Sequence, residues 1–439
     1  MHGQEFKRLR NLETAASYLK RKFVRRMKTL KQSIRLLPTW NGAKGCLRSI
    51  ICKLLPRRME RLAILLGLVG SLVIVTLIMT AKDSTSLHGI QWFIKEPIWP
   101  EDAPNSDRIE EQLRFRPPKL RDGVLLISLF EGFQRWDMPN ESTHETLFND
   151  CPVNNCRASH HDKDIDKADA ILFRAVAPTM VNRRPDQILI FSSLEAPPNS
   201  HSRINGIAVN WTATYRRDSD IVTPYGKVAR KNNKFRSIVD FDVKTKLAVW
   251  FVSNCHTASG RENYVEELRN YMQIDQYGKC GHQQCPKWDP NCWNSLRNYK
   301  FYFAFENSRC RDYITEKLFE NALRYDVVPV VLGPPKWQYE QVLPPNSFIH
   351  VEDFTSPKNL ANYLKALAKN DTAYRSFFDW KNSYALLDTK FWCRLCALLN
   401  EPREKVYENI EKWWSPPGIC KPDQYWPSKE HGDPASSSS

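Results

Sequence analysis

Glu306 and Asn307 directly follow a short aromatic run, residues 301–305, and stand just ahead of Tyr313, Glu316 and Lys317. An apolar run of this kind suits a strand buried on both faces of a parallel sheet. Residues 314, 318, 319, 322 and 323 are apolar at helical spacing and predict an amphipathic helix. Asp312 is read as its N-cap. Tyr313, Glu316, Lys317 and Glu320 fall on the other side of that helix. Residues 327–332 are again short, β-branched and apolar, and Gly333 ends them. Strand, helix, strand is the βαβ unit of an α/β domain, whose ligands sit at the carboxyl ends of the strands. Glu306 and Asn307 occupy such an end. The helix start offers unpaired N–H groups and partial positive charge to an anion, with Lys317 beside it. A solvated charged face is the plainer reading of such a helix. The polar cluster joins a strand end to a helix start, which favours a binding site.

The 439 residues carry a net charge of +15, and its location decides its meaning. Residues 1–61 hold 17 Lys or Arg and 3 Asp or Glu, whereas the remaining 378 residues hold 47 and 46. The folded part is close to neutral, so no nucleic-acid-binding domain is expected. Residues 62–81 are 20 in a row without a charge. A helix of that length spans roughly 30 Å, the thickness of a bilayer core. The basic flank before it, with Arg57, Arg58 and Arg61, predicts a cytosolic N-terminus and a luminal remainder. Ten cysteines lie beyond this span: Cys151, Cys156, Cys255, Cys280, Cys285, Cys292, Cys310, Cys393, Cys396 and Cys420. An even number in an oxidising compartment points to disulfides. Sequons begin at Asn140, Asn210 and Asn370, all on the luminal side.

The expected organisation follows. Residues 1–61 form a basic cytosolic tail, 62–81 a transmembrane signal anchor and 82–120 a proline-dotted stem. Residues 121–245 form one α/β domain, with strands at 123–130, 168–173 and 187–191 and a polar connection at 227–244. Residues 246–375 form a second, with strands at 247–254, 274–278, 301–305, 327–332 and 347–351. Residues 376–424 are read as a helical segment returning to the first domain, and 425–439 as a disordered tail.

Several blocks of the chain resemble the α1,3-fucosyltransferases (glycosyltransferase family 10). They are the 301–333 unit, the phrase from Asn210 through Asp220 to Gly226, residues 246–255 and residues 343–351. The likeness covers roughly residues 120–420. It implies a GT-B-like fold, two Rossmann-type domains with a cleft between them. It also implies GDP-fucose as donor, an N-glycan or glycoprotein acceptor, and a Golgi type II membrane protein. The cysteine-rich insert after Cys280, the Cys393-Arg394-Leu395-Cys396 phrase and Trp413-Trp414 are most similar to the invertebrate branch, which fucosylates the innermost N-acetylglucosamine of N-glycans. By position, Glu195 matches the family's catalytic glutamate, the general base. Arg216 and Lys317 match the groups that meet the diphosphate, where an arginine fork suits phosphate oxygens. Glu306, Asn307, Tyr313 and Glu316 match the donor pocket. An ion pair with Asp218 or Asp220 is the competing reading of Arg216.

Asp218-Ser219-Asp220 imitates the D-x-D metal motif, but so do Asp162-Lys163-Asp164 and Asp240-Phe241-Asp242. With two cations for the diphosphate no metal is required, and at most stimulation by Mn2+ or Mg2+ is expected. The resemblance also implies that Cys393 and Cys396 pair with Cys151 and Cys156. Where relatives carry histidines after residue 173, this chain has Arg174-Ala175-Val176. An antennal LacNAc or LacdiNAc acceptor, or a non-catalytic glycan-binding protein of the same fold, stays open beside the core acceptor. The oligomeric state is not legible.

Overall fold

The computed structural model describes residues 97–130, 146–178, 183–231, 238–286 and 288–421. The cytosolic tail, the anchor at 62–81, the start of the stem, Asn140 and the tail from 425 lie outside these residues. Two five-stranded parallel sheets make the core. The first contains β1 (Leu125–Leu129), β2 (Cys156–Ser159), β3 (Ala170–Phe173), β4 (Ile188–Ser193) and β5 (Trp211–Thr214), in the order β2-β1-β3-β4-β5. A hairpin-like pair follows from distant parts of the chain: β6 (Lys227–Arg230) lies antiparallel to β12 (Tyr384–Leu387). The second sheet contains β7 (Lys246–Phe251), β8 (Asp275–Tyr277), β9 (Tyr299–Phe305), β10 (Val328–Leu332) and β11 (Ile349–His350), in the order β11-β10-β9-β7-β8. Read from either end, both sheets have the 2-1-3-4-5 winding, whose crevice opens where the strand order reverses. In the second sheet that point lies between β7 and β9.

The apolar runs explain most of these strands. Every residue of β1, β3, β4 and β10 is buried. Such strands are shielded on both faces, so they read as continuous hydrophobic runs rather than alternations. β2 and β5 escape that rule. In β5, Thr212 and Thr214 are fully buried. The Thr212 Oγ1 donates to Asp220 Oδ2 at 3.0 Å, and the Thr214 and Ser219 hydroxyls lie 2.7 Å apart. A buried hydroxyl is tolerated when it is paired.

Two expectations need correction. Residues 97–120 are not stem. Ile98, Trp99, Arg108 and Gln112 are buried against the first sheet, with the Trp99 and Trp211 rings 5.0 Å apart. Arg108 donates to the carbonyls of Arg217 at 2.7 Å and Ser219 at 2.8 Å. The surrounding prolines and charges hide these few anchors in the sequence. Nor is the region from 376 wholly helical. It includes β12, and the segment read as a connection begins with its partner β6.

The helix Phe391–Asn400 completes the first sheet's core, where Leu395, Leu398 and Leu399 pack with Leu125, Ile127 and Ile190. Disulfides Cys151–Cys393 and Cys156–Cys396 fasten it there, as the family resemblance implies. The other pairs are Cys255–Cys280, Cys285–Cys292 and Cys310–Cys420. The first two bridges close nearly the same loop, with separations of 242 and 240 residues. Once one is in place, the other closes only a ring of about ten residues. By the chain-entropy relation, replacing either pair with alanines should cost about 2–3 kcal/mol, and replacing both about 8 kcal/mol. Urea unfolding of the three variants tests this non-additivity. Equal, additive losses would count against it.

Candidate active site

Glu306 directly follows β9 and is 1% exposed. Its Oε1 accepts from the Thr315 N–H at 2.8 Å. Its Oε2 accepts from the Thr315 hydroxyl at 2.9 Å and from Lys317 Nζ at 3.0 Å. Glu306 is therefore an internal bracket that positions Lys317, rather than a group facing a donor sugar. Gly333, at the end of β10, allows this packing, since a Cβ there would stand 3.0 Å from the Glu306 Cγ and 2.6 Å from the Tyr339 hydroxyl. Lys317 is 15% exposed and also donates to Glu316 Oε1 at 3.2 Å. Burial alone would lower the Lys317 pKa, but the facing carboxylates of Glu306 and Glu316 override it and raise the net value. The ammonium stays charged at the mouth of the second sheet. Glu316 is 46% exposed and open to a ligand.

The helix after this bracket, Lys317–Leu323, is a π-helical stretch. Two bonds at its end run to the fifth preceding carbonyl, Arg324 N to Phe319 O at 3.2 Å and Val327 N to Ala322 O at 3.1 Å. Such stretches are rare and favour functional sites. Its apolar stripe, from Ile314 to Leu323, is buried as expected. Asp312 is not its N-cap. Asp312 has φ +61°, and its carboxylate accepts from the Arg217 N–H at 3.1 Å, across from the first sheet. Tyr313 is likewise buried rather than on a solvated face.

Arg261 is the cation that sequence reasoning missed. It opens the helix Arg261–Arg269, follows β7 and is 3% exposed. Its Nη1 donates to the Phe305 carbonyl at 2.7 Å, its Nη2 to the Asn254 carbonyl at 2.9 Å and its Nε to Glu262 Oε1 at 3.2 Å, so one N–H on each Nη makes no bond among the described residues. The guanidinium is thus held between the carboxyl ends of β7 and β9, where the strand order reverses. Its charge acts on Lys317 there. Gly260, with φ +66°, lets the chain turn into this helix. A glycine and an arginine at the first helix start after a strand were the available signal.

Across the cleft, Glu195 follows β4 and is half-buried. Its Oε1 accepts from the Tyr313 hydroxyl at 2.6 Å, Asn307 Nδ2 at 3.2 Å and the Ala196 N–H at 3.0 Å. No hydrogen bond to Oε2 occurs among the described residues. Burial, then the negative charge of Glu306 and Glu195, raises the Tyr313 pKa, so the phenol keeps the proton it donates. Tyr225 donates to the Leu194 carbonyl at 2.7 Å and steadies the same turn. Asn307 Oδ1 is buried without a hydrogen-bond partner. The structure thus joins Glu195 of the first sheet to Asn307 and Tyr313 of the second.

Arg216 is not brought to this cluster. It is 3% exposed and chelates Asp218, with Nε to Oδ1 at 3.0 Å and Nη2 to Oδ2 at 2.6 Å. Its Nη1 donates to the carbonyls of Trp413 and Trp414, and its plane lies 4.0 Å over the Trp413 ring. With these donors spent, the guanidinium has no fork left for a diphosphate. The ion-pair reading of Arg216 is the one this geometry supports. Asp220 is fully buried and accepts from the Thr212 N–H, Lys405 Nζ and the Tyr407 hydroxyl at 2.8, 2.8 and 3.1 Å. Its carboxylate is a structural hub. Arg174, after β3, is half-buried. Asn210 is half-buried and Asn370 exposed.

Known proteins share this arrangement of sequence. A family model described as "Glycosyltransferase family 10 (fucosyltransferase) C-term" matches residues 241–413, and one described as "Fucosyltransferase, N-terminal" matches residues 126–226. Glycoprotein 3-alpha-L-fucosyltransferase A of Drosophila melanogaster is 39% identical over 361 residues, 78% of this chain and 71% of that protein. The chain belongs to glycosyltransferase family 10, the fucosyltransferases. Alpha-(1,3)-fucosyltransferase C of the same fly is 34% identical over 66% of this chain and 77% of its own length. A crystal structure of an alpha1,3-fucosyltransferase with GDP-fucose aligns with 69% of this chain and 98% of that one, at 15% identity and a TM-score of 0.44. Within the fucosyltransferase frame, the N-terminal match carries Glu195. The C-terminal match carries Arg261, Glu306, Asn307, Tyr313 and Lys317.

Proposed function

We propose that this chain is an inverting α1,3-fucosyltransferase of the Golgi membrane that moves L-fucose from GDP-fucose to O3 of the innermost N-acetylglucosamine of N-glycans. The observation that carries the reading is a half-buried carboxylate, Glu195, held by Tyr313 and Asn307 of the second sheet, whose strand ends also hold Arg261 and Lys317. Fucose leaves the nucleotide through an oxocarbenium-like transition state. Glu195 takes the proton of the attacking hydroxyl as that bond forms. Arg261 and Lys317 stabilise the charge that builds on the departing diphosphate. Glu316 serves the hydroxyls of fucose and ribose, while Asn307 and Tyr313, which donate to Glu195, hold the base. The mechanism calls for no metal, and Mn2+ or Mg2+ would at most stimulate it.

The core acceptor rests on the invertebrate-type cysteine insert and on the fly relative, whose name specifies a glycoprotein acceptor. The uncharged run at 62–81 supports a type II anchor. Among the described residues no helix is long and apolar enough to cross a membrane. The test uses a secreted fragment, residues 83–439, with GDP-fucose and two acceptors, a truncated N-glycopeptide and a LacdiNAc oligosaccharide. Fucose on the innermost N-acetylglucosamine, read by mass spectrometry and linkage-specific glycosidases, is the expected product. Transfer only to LacdiNAc would overturn the core acceptor. Binding of GDP-fucose without transfer or slow GDP release would mark a non-catalytic glycan-binding protein.

A further inference from the structure

Glu195 and its two donors come from different sheets, and one stretch of chain fastens those halves covalently. The helix Ile410–Trp414 buries Ile410 and Trp414 against the first sheet's core, beside Phe191 and Ala196. The chain then runs to the loop of the second sheet that carries Asn307 and Tyr313. There Cys420 forms a disulfide with the fully buried Cys310. Backbone bonds flank it, from Arg311 N to Ile419 O at 2.8 Å and from Lys421 N to Arg309 O at 3.0 Å. Aromatic contacts run the same way. Trp414 meets Tyr215 with ring centroids 5.6 Å apart, and Tyr215 meets Tyr313 at 5.0 Å.

We propose that residues 410–421, closed by Cys310–Cys420, are a positioning strap for catalysis: they hold Tyr313 and Asn307 on Glu195. The proposal rests on the reading of Glu195 as the base. Two α/β halves around a cleft open by hinge bending. The polar contacts between the halves, such as Tyr313 to Glu195 and Asn199 Nδ2 to Ser308 Oγ at 2.9 Å, are separate single bonds that such a motion would break. The strap instead makes loop 307–313 move with the first sheet. Arg261 and Lys317 are held by their own bonds to β9 and its bracket, which the strap does not supply. Misplacement of a catalytic group by about 1 Å is enough to cost on the order of 10²-fold in rate. The strap should therefore govern turnover more than donor binding.

The test compares Cys310→Ala/Cys420→Ala with a second variant, Cys310→Ala in a chain ended at Gly418, both as the 83–439 fragment or its shortened form. A Cys285→Ala/Cys292→Ala variant, which removes a disulfide away from the loop, is the control. Both strap variants should lose about 10- to 100-fold in kcat, with KM for GDP-fucose changed by less than about threefold. The control should match the parent. Parental kcat in both variants, or a loss carried by KM for GDP-fucose rather than by kcat, would overturn the proposal. So would failure of both to fold, since the tie would then be structural only. Failure of the underlying reading looks different, because Glu195→Gln would then retain activity whatever the strap variants do.

Discussion

Glu195→Gln is expected to lower kcat for fucose transfer by about 10²–10⁴-fold, the usual contribution of a positioned general base. The amide is isosteric and can still accept from Tyr313 at Oε1, so the turn after β4 should keep its shape. What it cannot do is take a proton. KM for GDP-fucose should stay within about threefold, because the donor is held from the opposite wall by groups that do not touch Glu195. Steady-state kinetics with both substrates varied would show this split. A variant with parental kcat would remove Glu195 from the mechanism. A variant that lost donor binding instead would recast it as a nucleotide ligand.

The second large effect is expected at Arg261. Arg261→Ala should lower kcat/KM for GDP-fucose by about 10²–10³-fold, the range for loss of one preorganised charge-stabilising donor. Arg261→Lys should recover part of that, since it restores charge but not the planar fork. The guanidinium also holds the carbonyls of Phe305 and Asn254. Leaving those acceptors unpaired should cost about 1–3 kcal/mol of stability, so Tm has to be recorded beside the kinetics. Arg216→Ala is the informative partner. Its side chain is spent on Asp218 and the Trp413–Trp414 carbonyls. Its removal should lower Tm with little change in KM for GDP-fucose. The reverse pattern, a stable Arg216→Ala that has lost its donor, would return the diphosphate to Arg216.

The contrast between these two arginines shows what a linear reading can and cannot see. Runs such as residues 301–305 and 327–332 declare buried parallel strands, because burial on both faces leaves no room for polar alternation. The βαβ unit and its ligand-bearing end follow from them. β5 stays hidden because its threonines look solvated until Asp220 and Ser219 are seen to satisfy them. Asp312 has the residue type and position of an N-cap, yet its backbone is left-handed and its carboxylate serves the other sheet. A cap is decided by φ and by partners distant in sequence, and neither is written locally. Tyr313 illustrates the same point. Helical spacing sends it to the solvated side, but the first sheet covers that side and converts a surface phenol into a buried donor. Arg216 and Arg261 differ only in what lies around them in space. The sequence could name arginines near strand ends, but not that Arg216 is chelated by Asp218 while Arg261 stands between the ends of β7 and β9.

The seating of helix Phe391–Asn400 in the first sheet has a consequence for biosynthesis. The second sheet, residues 246–350, is contiguous and can fold as soon as it has been synthesised. The first sheet lacks part of its core until a helix made some 240 residues after Cys151 arrives. At roughly 5–20 residues per second of synthesis, that wait is on the order of tens of seconds. Throughout it Cys151 and Cys156 are without their native partners, while the cysteines of the second sheet appear and oxidise around them. The usual order of domain maturation is thereby reversed, and the half bearing Glu195 is the last to become competent. Pulse-labelled chains should acquire the Cys255–Cys280 bridge before either bond to the Cys393–Cys396 helix. Chains halted before residue 391 should accumulate as thiol-linked adducts with the oxidoreductases that form disulfides.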